Sequence, residues 1–303
     1  MIGVIVAREC GLAHSHNFRV TGSVIGLDDL IRAKARQTIS VCLPARNEAS
    51  TVGAIVDVLV SGLGPAAGRA GLVDEVIVID DGSTDATSEV AAAAGATTVV
   101  AEWESGGKGD AMWKALQVAS GDLIVFCDAD VTDFGAHFVT GLVEPLLADS
   151  AISFVKGYYD RPLEGVAASG GRVTELVARP LVELLFPHLN HIRQPLAGEY
   201  AARRQVLQQV PFVTGYGVDL ALLVDVADRF GVGSIAQADL ATRTHRNRPL
   251  AELRLQSQEI LRTALARAGA GALVGWGANG AEERPPMIGV AHSRESGHPA
   301  DNP

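Results

Sequence analysis

Between Thr38 and Cys127 short apolar runs alternate with longer stretches of helical period, and no other feature restricts the fold so tightly. Strands are expected at Thr38–Leu43, Glu75–Asp80, Thr97–Val100 and Asp122–Cys127, with helices between them at about 49–60, 85–94 and 108–119. Such alternation predicts a parallel sheet, right-handed crossovers and helices on both faces, a Rossmann-like layer. The run Leu123–Cys127 is apolar throughout, as in a strand covered on both sides, and leads straight into Asp128-Ala129-Asp130. Ligands bind outside the carboxyl ends of strands in open α/β sheets, so two carboxylates at i and i+2 arrive where a divalent metal and a diphosphate would be held.

Around this layer, residues 1–37 read as an extended arm ending in a short helix at 27–36, and the glycine- and alanine-rich 61–71 as a surface loop. Beyond a strand at 152–158 the chain is expected to be helical near 171–186, 200–209, 217–230 and 249–268, with 269–303 a loose tail whose Trp276 and Met287 neighbourhoods could dock on a partner subunit. The division is therefore 1–37 arm, 38–160 nucleotide-binding Rossmann-like half, 161–268 a more helical second half of the same domain, and 269–303 tail. At 303 residues and 48% apolar composition the chain can bury a full core. Its net charge of −10 argues against nucleic-acid binding and against docking on an anionic membrane, so an anionic substrate must be met by a local basic cluster. Cys10, Cys42 and Cys127 form neither a disulfide framework nor a metal-finger pattern. No run approaches the roughly 18 apolar residues of a membrane span, and the opening apolar stretch is short for a signal peptide. A soluble cytoplasmic protein is the expectation.

Other chemistry-bearing segments fall at the same sheet edge. Pro44-Ala45-Arg46-Asn47-Glu48 follows the first strand, where backbone N–H groups and the Asn amide could read a uracil or ribose; Asn47 as a helix N-cap explains it equally well. Asp80-Asp81-Gly82-Ser83-Thr84-Asp85 closes the second strand; either Asp80 or Asp81 could hold a ribose or base, while Ser83, Thr84 and Asp85 suit a turn and cap. Gly106-Gly107-Lys108-Gly109 opens a helix, lets backbone approach a phosphate and adds a point charge, without the Walker pattern.

Taken together, PARNE, VIDDGSTDAT, GGKGDAMW and CDAD resemble a GT-A glycosyltransferase, and GGRVTELVARPL, QPLAGEYAARR, GYGVD, THRNRPL and RPPM resemble the glucosyl-3-phosphoglycerate synthase family over about residues 27–290. The resemblance implies a GT-A Rossmann-like sheet with a helical acceptor-binding C-terminal part. It also implies a retaining, metal-dependent transfer of glucose from UDP-glucose to the 2-hydroxyl of 3-phosphoglycerate, with Mg²⁺ or Mn²⁺ as cofactor and a homodimer as the assembly. Carried over by residue, Pro44, Ala45, Arg46, Asn47, Glu48 and Asp81 surround uridine, and Lys108, Asp128, Ala129 and Asp130 meet the rest of the nucleotide sugar. Asp130 and His245 bind the metal, while Leu196 offers a carbonyl and Glu199 a carboxylate to the sugar. Gly171, Arg172, Thr174, Tyr216, Gly217, Val218 and Asn247 hold the acceptor; apart from the resemblance, Arg243, Arg246 and Arg248 are placed to finish neutralising it. Lys108, Asp130, Asp219 and Leu196 form the catalytic set.

Phosphoglycerate carries close to three negative charges near neutral pH, so a helix start at Gly170-Gly171-Arg172 and the arginines after Thr242 make physical sense as its cradle. Asp219 departs from the glutamate common in the family, and a side chain one methylene shorter reaches about 1.3–1.5 Å less far. Arg46 and Asp81 are also larger or more charged than usual, and could pair. Expected catalysis is electrostatic: the metal and Lys108 stabilise departing UDP while the acceptor hydroxyl attacks from the same face, with no enzyme nucleophile. The rival readings are a mannosyl-3-phosphoglycerate synthase using GDP-mannose, an inverting transferase acting on a lipid phosphate, and an inactive nucleotide-sugar-binding scaffold.

Overall fold

The computed structural model describes residues 19–20, 25–66, 69–101, 107–160, 171–243, 250–277 and 283–288. Gly106, Gly170 and the run from Thr244 to Pro249, with His245, Arg246, Asn247 and Arg248, lie outside the described residues. In chain order the elements are β1 (Arg19–Val20), α1 (Leu27–Lys34), β2 (Ile39–Ala45), α2 (Val52–Asp57), β3 (Glu75–Asp80), α3 (Thr87–Ala93), β4 (Thr97–Val100), α4 (Lys108–Val118), β5 (Leu123–Phe126) and α5 (His137–Ala148). There follow β6 (Phe154–Asp160), α6 (Arg179–Leu185), β7 (Tyr200–Arg203), α7 (Arg204–Leu207), β8 (Phe212–Val213), α8 (Val218–Phe230), β9 (Ile235–Thr242), α9 (Leu250–Leu265) and β10 (Glu283–Arg284).

Eight strands form one sheet in the order β1-β9-β6-β7-β5-β2-β3-β4. All pairings are parallel except those of β7, which runs against both β5 and β6. The chain leaves β2 toward β3 and β4, then crosses back to β5 on the other side, so the sheet reverses direction of winding between β2 and β5. At such a reversal the loops after neighbouring strands part and leave a crevice at their carboxyl ends.

Alternation along the strands divides the core between the two faces. Ile39, Val41 and Leu43 of β2 with Leu123 and Val125 of β5 pack against α2, α3 and α5. Cys42, Ile124 and Phe126 face the other way onto α4, α8 and α9. Burial of each such side chain contributes about 1.5–3 kcal/mol, so both faces are committed and the register cannot slip by one residue without exposing an entire set.

The expected first half is present, its boundaries shifting by a few residues. The second half departs from expectation. Residues 200–209, which read as helix, supply the central antiparallel strand β7 and only a short α7, and Ile235–Thr242 forms a strand that periodicity does not indicate. Tyr-Ala-Ala-Arg and Ile-Ala-Gln-Ala-Asp-Leu are alanine-rich and lack a β signature, but flanking strands on either side satisfy the backbone of β7, and tertiary pairing overrides propensity. Helix α5, with nine of its twelve residues buried, has too little polar surface to show an amphipathic period. Near the end of the chain, Met287 packs against the α4–α8 core of its own chain.

Candidate active site

A cavity of about 490 Å³ opens at the carboxyl ends of β2, β3 and β5 and is closed by the segments after β6 and β8 and by α9. Pro44, Ala45, Arg46, Asn47, Glu48, Asp81, Lys108, Asp128, Ala129, Asp130, Gly171, Arg172, Thr174, Leu196, Tyr216, Asp219 and Arg243 all line it. Glu199, Gly217 and Val218 do not. Val218 is fully buried in the core, and a Cβ on Gly217 would lie 2.0 Å from the Thr263 hydroxyl, so Gly217 serves the α8–α9 contact. His245 and Asn247 lie outside the described residues.

The floor of the cavity is a chain of alternating charges. Lys108, the first residue of α4, places Nζ 2.8 Å from Asp128 Oδ1 and 2.9 Å from Asp219 Oδ2. Arg243 Nη2 donates to Asp128 Oδ2 at 3.0 Å and Asp130 Oδ1 at 2.7 Å, while Nη1 reaches the Tyr159 hydroxyl at 2.7 Å and Glu199 Oε1 at 3.1 Å. Burial opposes the charge on Asp128, but Lys108 and Arg243 together outweigh it and hold the carboxyl well below the usual range. Burial likewise opposes the charge on Lys108, and Asp128 and Asp219 more than offset it, so the ammonium is charged throughout the neutral range.

Two of the expected site residues are placed differently from the rest. Arg243, expected on charge grounds to help neutralise the acceptor, lines the cavity, but its side chain is 2% exposed and braces the Asp128–Asp130 pair. Glu199, expected from family resemblance at the sugar, is fully buried behind Arg243 and is its counter-ion. A guanidinium so deep needs an anion on each side to offset its lost hydration.

Around the β2 and β3 loops the polar groups are largely structural. Asn47 does not cap a helix: α2 begins five residues later, and Asn47, at φ 59°, accepts from Thr84 N at 2.8 Å while its own N–H donates to Ser83 Oγ at 2.9 Å. Asp80 accepts from Ser83 N and Ser88 Oγ and thus holds the turn. Asp85 accepts from Thr87 N at 3.1 Å in an Asx-type turn ahead of α3, whose N-cap position is taken by Ala86. Only Asp81 of this acidic run faces the cavity, with Arg46 Nη1 3.8 Å away. Burial raises its pKa, Arg46 only partly compensating.

Three features escape sequence reading. Gly198 is one: a Cβ there would lie 2.3 Å from both Asp128 carboxylate oxygens, so only glycine leaves room for them. Lys156 is another, buried under the floor with Nζ 3.2 Å from the Asp219 carbonyl oxygen and 4.5 Å from the Tyr200 ring centroid, its pKa brought down to about 8 by burial. A lysine inside an otherwise β-like run (Phe154–Asp160) is the signal that could have found it. The third is the α9 wall of Leu253, Gln256 and Glu259, of which Glu259 Oε2 accepts from Tyr216 N at 2.7 Å.

Among the described residues no group of three metal-ligating side chains gathers. A divalent ion of the Mg²⁺ or Mn²⁺ type asks for hard oxygen donors and is commonly held by one or two carboxylates plus substrate phosphates. Asp130, on the cavity wall beside Asp128, supplies donors of that kind, so the residues present fit such an ion.

The sequence profile described as Glycosyl transferase family 2 matches residues 40–210, and the sheet with its acidic pair beyond β5 is accordingly that of a GT-A glycosyltransferase. Glucosyl-3-phosphoglycerate synthase of Mycolicibacterium smegmatis is 49% identical over 251 residues, covering 80% of this chain and 81% of its own. The enzyme of that name from Petrotoga mobilis is 42% identical over 253 residues, covering 80% and 77%. Glucosyl-3-phosphoglycerate synthase from Mycobacterium tuberculosis, solved in complex with Mn²⁺, UDP-glucose and phosphoglyceric acid, is similar with a TM-score of 0.75 and 41% identity, covering 87% of this chain and 95% of that one. The chain belongs to the glucosyl-3-phosphoglycerate synthase family.

Proposed function

We propose that this protein transfers glucose from UDP-glucose to the 2-hydroxyl of 3-phosphoglycerate with retention of anomeric configuration, giving glucosyl-3-phosphoglycerate. The observation that carries the reading is that the residues expected at the nucleotide and those expected at the acceptor, Gly171, Arg172 and Thr174, line one and the same cavity. The M. tuberculosis relative binds UDP-glucose and phosphoglyceric acid together, which supports the same substrates here.

In this reading Asp81 and the Pro44–Glu48 loop receive uridine. Lys108 faces the diphosphate, Asp130 and His245 hold the divalent ion, and Arg172 with the Gly171 N–H meets the acceptor phosphate. The ion, when bound, neutralises charge on the diphosphate. Lys108, kept protonated by Asp128 and Asp219, stabilises negative charge on the leaving UDP. The acceptor hydroxyl is held on the same face of the sugar and passes its proton to the leaving phosphate oxygen. Asp219 is bound up with Lys108 and orients it, so no enzyme nucleophile is required. Free, buried Cys42 and Cys127 suit a reducing compartment, in keeping with action in the cytoplasm. A homodimer, by family resemblance, and the four-part division of the chain, by its sequence organisation, belong to the same proposal.

The deciding experiment measures nucleoside diphosphate release with UDP-glucose and with GDP-mannose, with and without 3-phosphoglycerate, in Mn²⁺ and in EDTA. UDP release that needs both phosphoglycerate and metal is the expected result. A preference for GDP-mannose would transfer the chain to mannosyl chemistry, and absence of turnover with either donor would overturn the assignment. Anomeric NMR of the product tests retention, as a β-linked product would refute it.

A further inference from the structure

Far along the chain from the catalytic strands, β10 runs antiparallel to β8, with Glu283 opposite Val213 and Arg284 opposite Phe212. Its two side chains reach different helices. Arg284 Nε lies 2.5 Å from Oδ1 of Asp110, a carboxylate with no exposed surface in the first turn of α4. Glu283 Oε2 lies 2.9 Å from Arg267 Nη2, and Arg267 in turn holds Asp225 of α8 at 2.7 Å. The residues that follow are anchored as well: Trp113 Nε1 of α4 donates to Pro285 O at 3.1 Å, and Ile288 N donates to Gln208 O at 3.0 Å.

The strand β8 to which β10 is paired is itself the seat of the Lys108 turn. Asp110 N donates to Thr214 O at 3.1 Å. A Cβ on Gly107 would lie 2.7 Å from Thr214 O, and one on Gly109 would lie 1.6 Å from Val213 O. The glycines flanking Lys108 therefore permit backbone to lie on backbone, and side chains at those positions would lift the turn away. β8 also leads into Gly215, Tyr216 and then α8, which carries Asp219. Lys108 and Asp219, which meet at 2.9 Å, are thus both positioned by a two-residue strand whose outer edge is covered by β10.

We propose that β10 is a positioning element of the active site, with Arg284 acting through Asp110 to fix the first turn of α4 and so the Lys108 ammonium. The proposal deepens the transferase reading and rests on it for the role of Lys108. A carboxylate buried in a helix's first turn gains from the helix dipole but needs a cation to offset its lost hydration. Arg284 supplies that cation from a segment distant in sequence, so loss of Arg284 leaves the buried Asp110 carboxylate without it, and the turn shifts to hydrate the group.

The test compares wild type with Arg284→Gln, Arg284→Lys, Asp110→Asn and the Arg284→Gln/Asp110→Asn double variant. UDP affinity is measured by calorimetry in Mn²⁺, kcat and both KM values by UDP release, and Tm by fluorescence. Arg284→Gln should weaken UDP binding at least fivefold and lower kcat tenfold or more, while KM for 3-phosphoglycerate stays within twofold. The double variant should be no worse than Arg284→Gln alone, the non-additivity expected of one device. Arg284→Lys, which keeps the charge, should fall between wild type and Arg284→Gln and stands in if the latter does not fold. UDP affinity and kcat within twofold of wild type in folded Arg284 variants, whatever their Tm, would overturn the proposal, as would additive losses in the double variant. If wild type binds UDP but shows no phosphoglycerate-dependent turnover, the substrate assignment falls and the UDP titration alone decides the role of β10.

Discussion

Substituting Gly198 by Ala tests the geometry of the acidic pair with a single methyl group. The added Cβ would stand 2.3 Å from each oxygen of Asp128 and 2.4 Å from its Cγ, where ordinary contact begins at 3.4 Å. The carboxylate must therefore retreat by about 1 Å, yet it is held by Lys108 at 2.8 Å and Arg243 at 3.0 Å and cannot keep both contacts after a move of that size. A misplacement of about 1 Å at a reacting centre costs on the order of 100-fold in rate, and disrupting a buried charge pair costs about 3–5 kcal/mol when one partner is lost outright. Gly198→Ala is therefore expected to lower kcat/KM by on the order of 100-fold, with a Tm loss of several degrees that leaves the protein folded at assay temperature. Gly62→Ala, where an added Cβ meets nothing within 4 Å, is the matched control and should retain wild-type rates. Phosphoglycerate-dependent UDP release on folded protein is the assay. If Gly198→Ala works within twofold of wild type, Asp128 is not held where the charge network places it, and the account of the cavity floor fails with it.

Lys108→Met removes the cation between Asp128 and Asp219 and should reduce kcat by about 100- to 1,000-fold, the usual loss on removing one electrostatic stabiliser; pre-steady-state UDP release would report it. Asp81→Asn should weaken UDP binding about five- to twentyfold, the worth of one or two hydrogen-bonding contacts, as read by titration. Because burial raises the Asp81 pKa, UDP affinity of the wild type should begin to fall at a higher pH on acidification than an ordinary aspartate would impose. Asp225 has its pKa raised to about 6 by burial, Arg267 notwithstanding, from an ordinary 3.8. Between those values the folded state keeps a proton that the unfolded state has lost, so this residue's contribution to stability declines as pH rises through that window. Asp225→Asn should flatten that segment of the Tm–pH curve, and an unchanged slope would show that Asp225 is not the group responsible.

Much of the site is legible in the sequence because its parts are local. An apolar strand that ends in acids, a turn rich in Asp and Ser, and a lysine opening a helix each carry their meaning within a few residues, and a parallel sheet brings all strand ends to one edge. What the sequence conceals is non-local. Arg243 and Glu199 are both recognisable as site residues, yet their partnership depends on β7 and the end of β9, strands whose alanine-rich sequences read as helical or as nothing in particular. Lys156 looks like an ordinary strand residue, and its burial under Asp219 follows only from β6 lying in the middle of the sheet. The glycines around Lys108 suggest room for phosphate, whereas Gly107 and Gly109 make room for the backbone of β8.

The α/β class, the sheet edge at which ligands gather and the nucleotide-side residues of the cavity follow from the amino-acid order, because hydrophobic period and strand-end chemistry are written in contiguous residues; the acceptor-side residues are reached only through family resemblance. Which cation meets which carboxylate, which acids are consumed by turns, and the return of residues as late as 283–288 to hold the first turn of α4 are settled in three dimensions. Charge pairing acts over a few ångströms, and the pairs Asp130–Arg243, Lys108–Asp219 and Asp110–Arg284 join groups that are 113, 111 and 174 residues apart in the chain. No pattern within either segment specifies the other, and only the order of strands in the sheet brings them within that range.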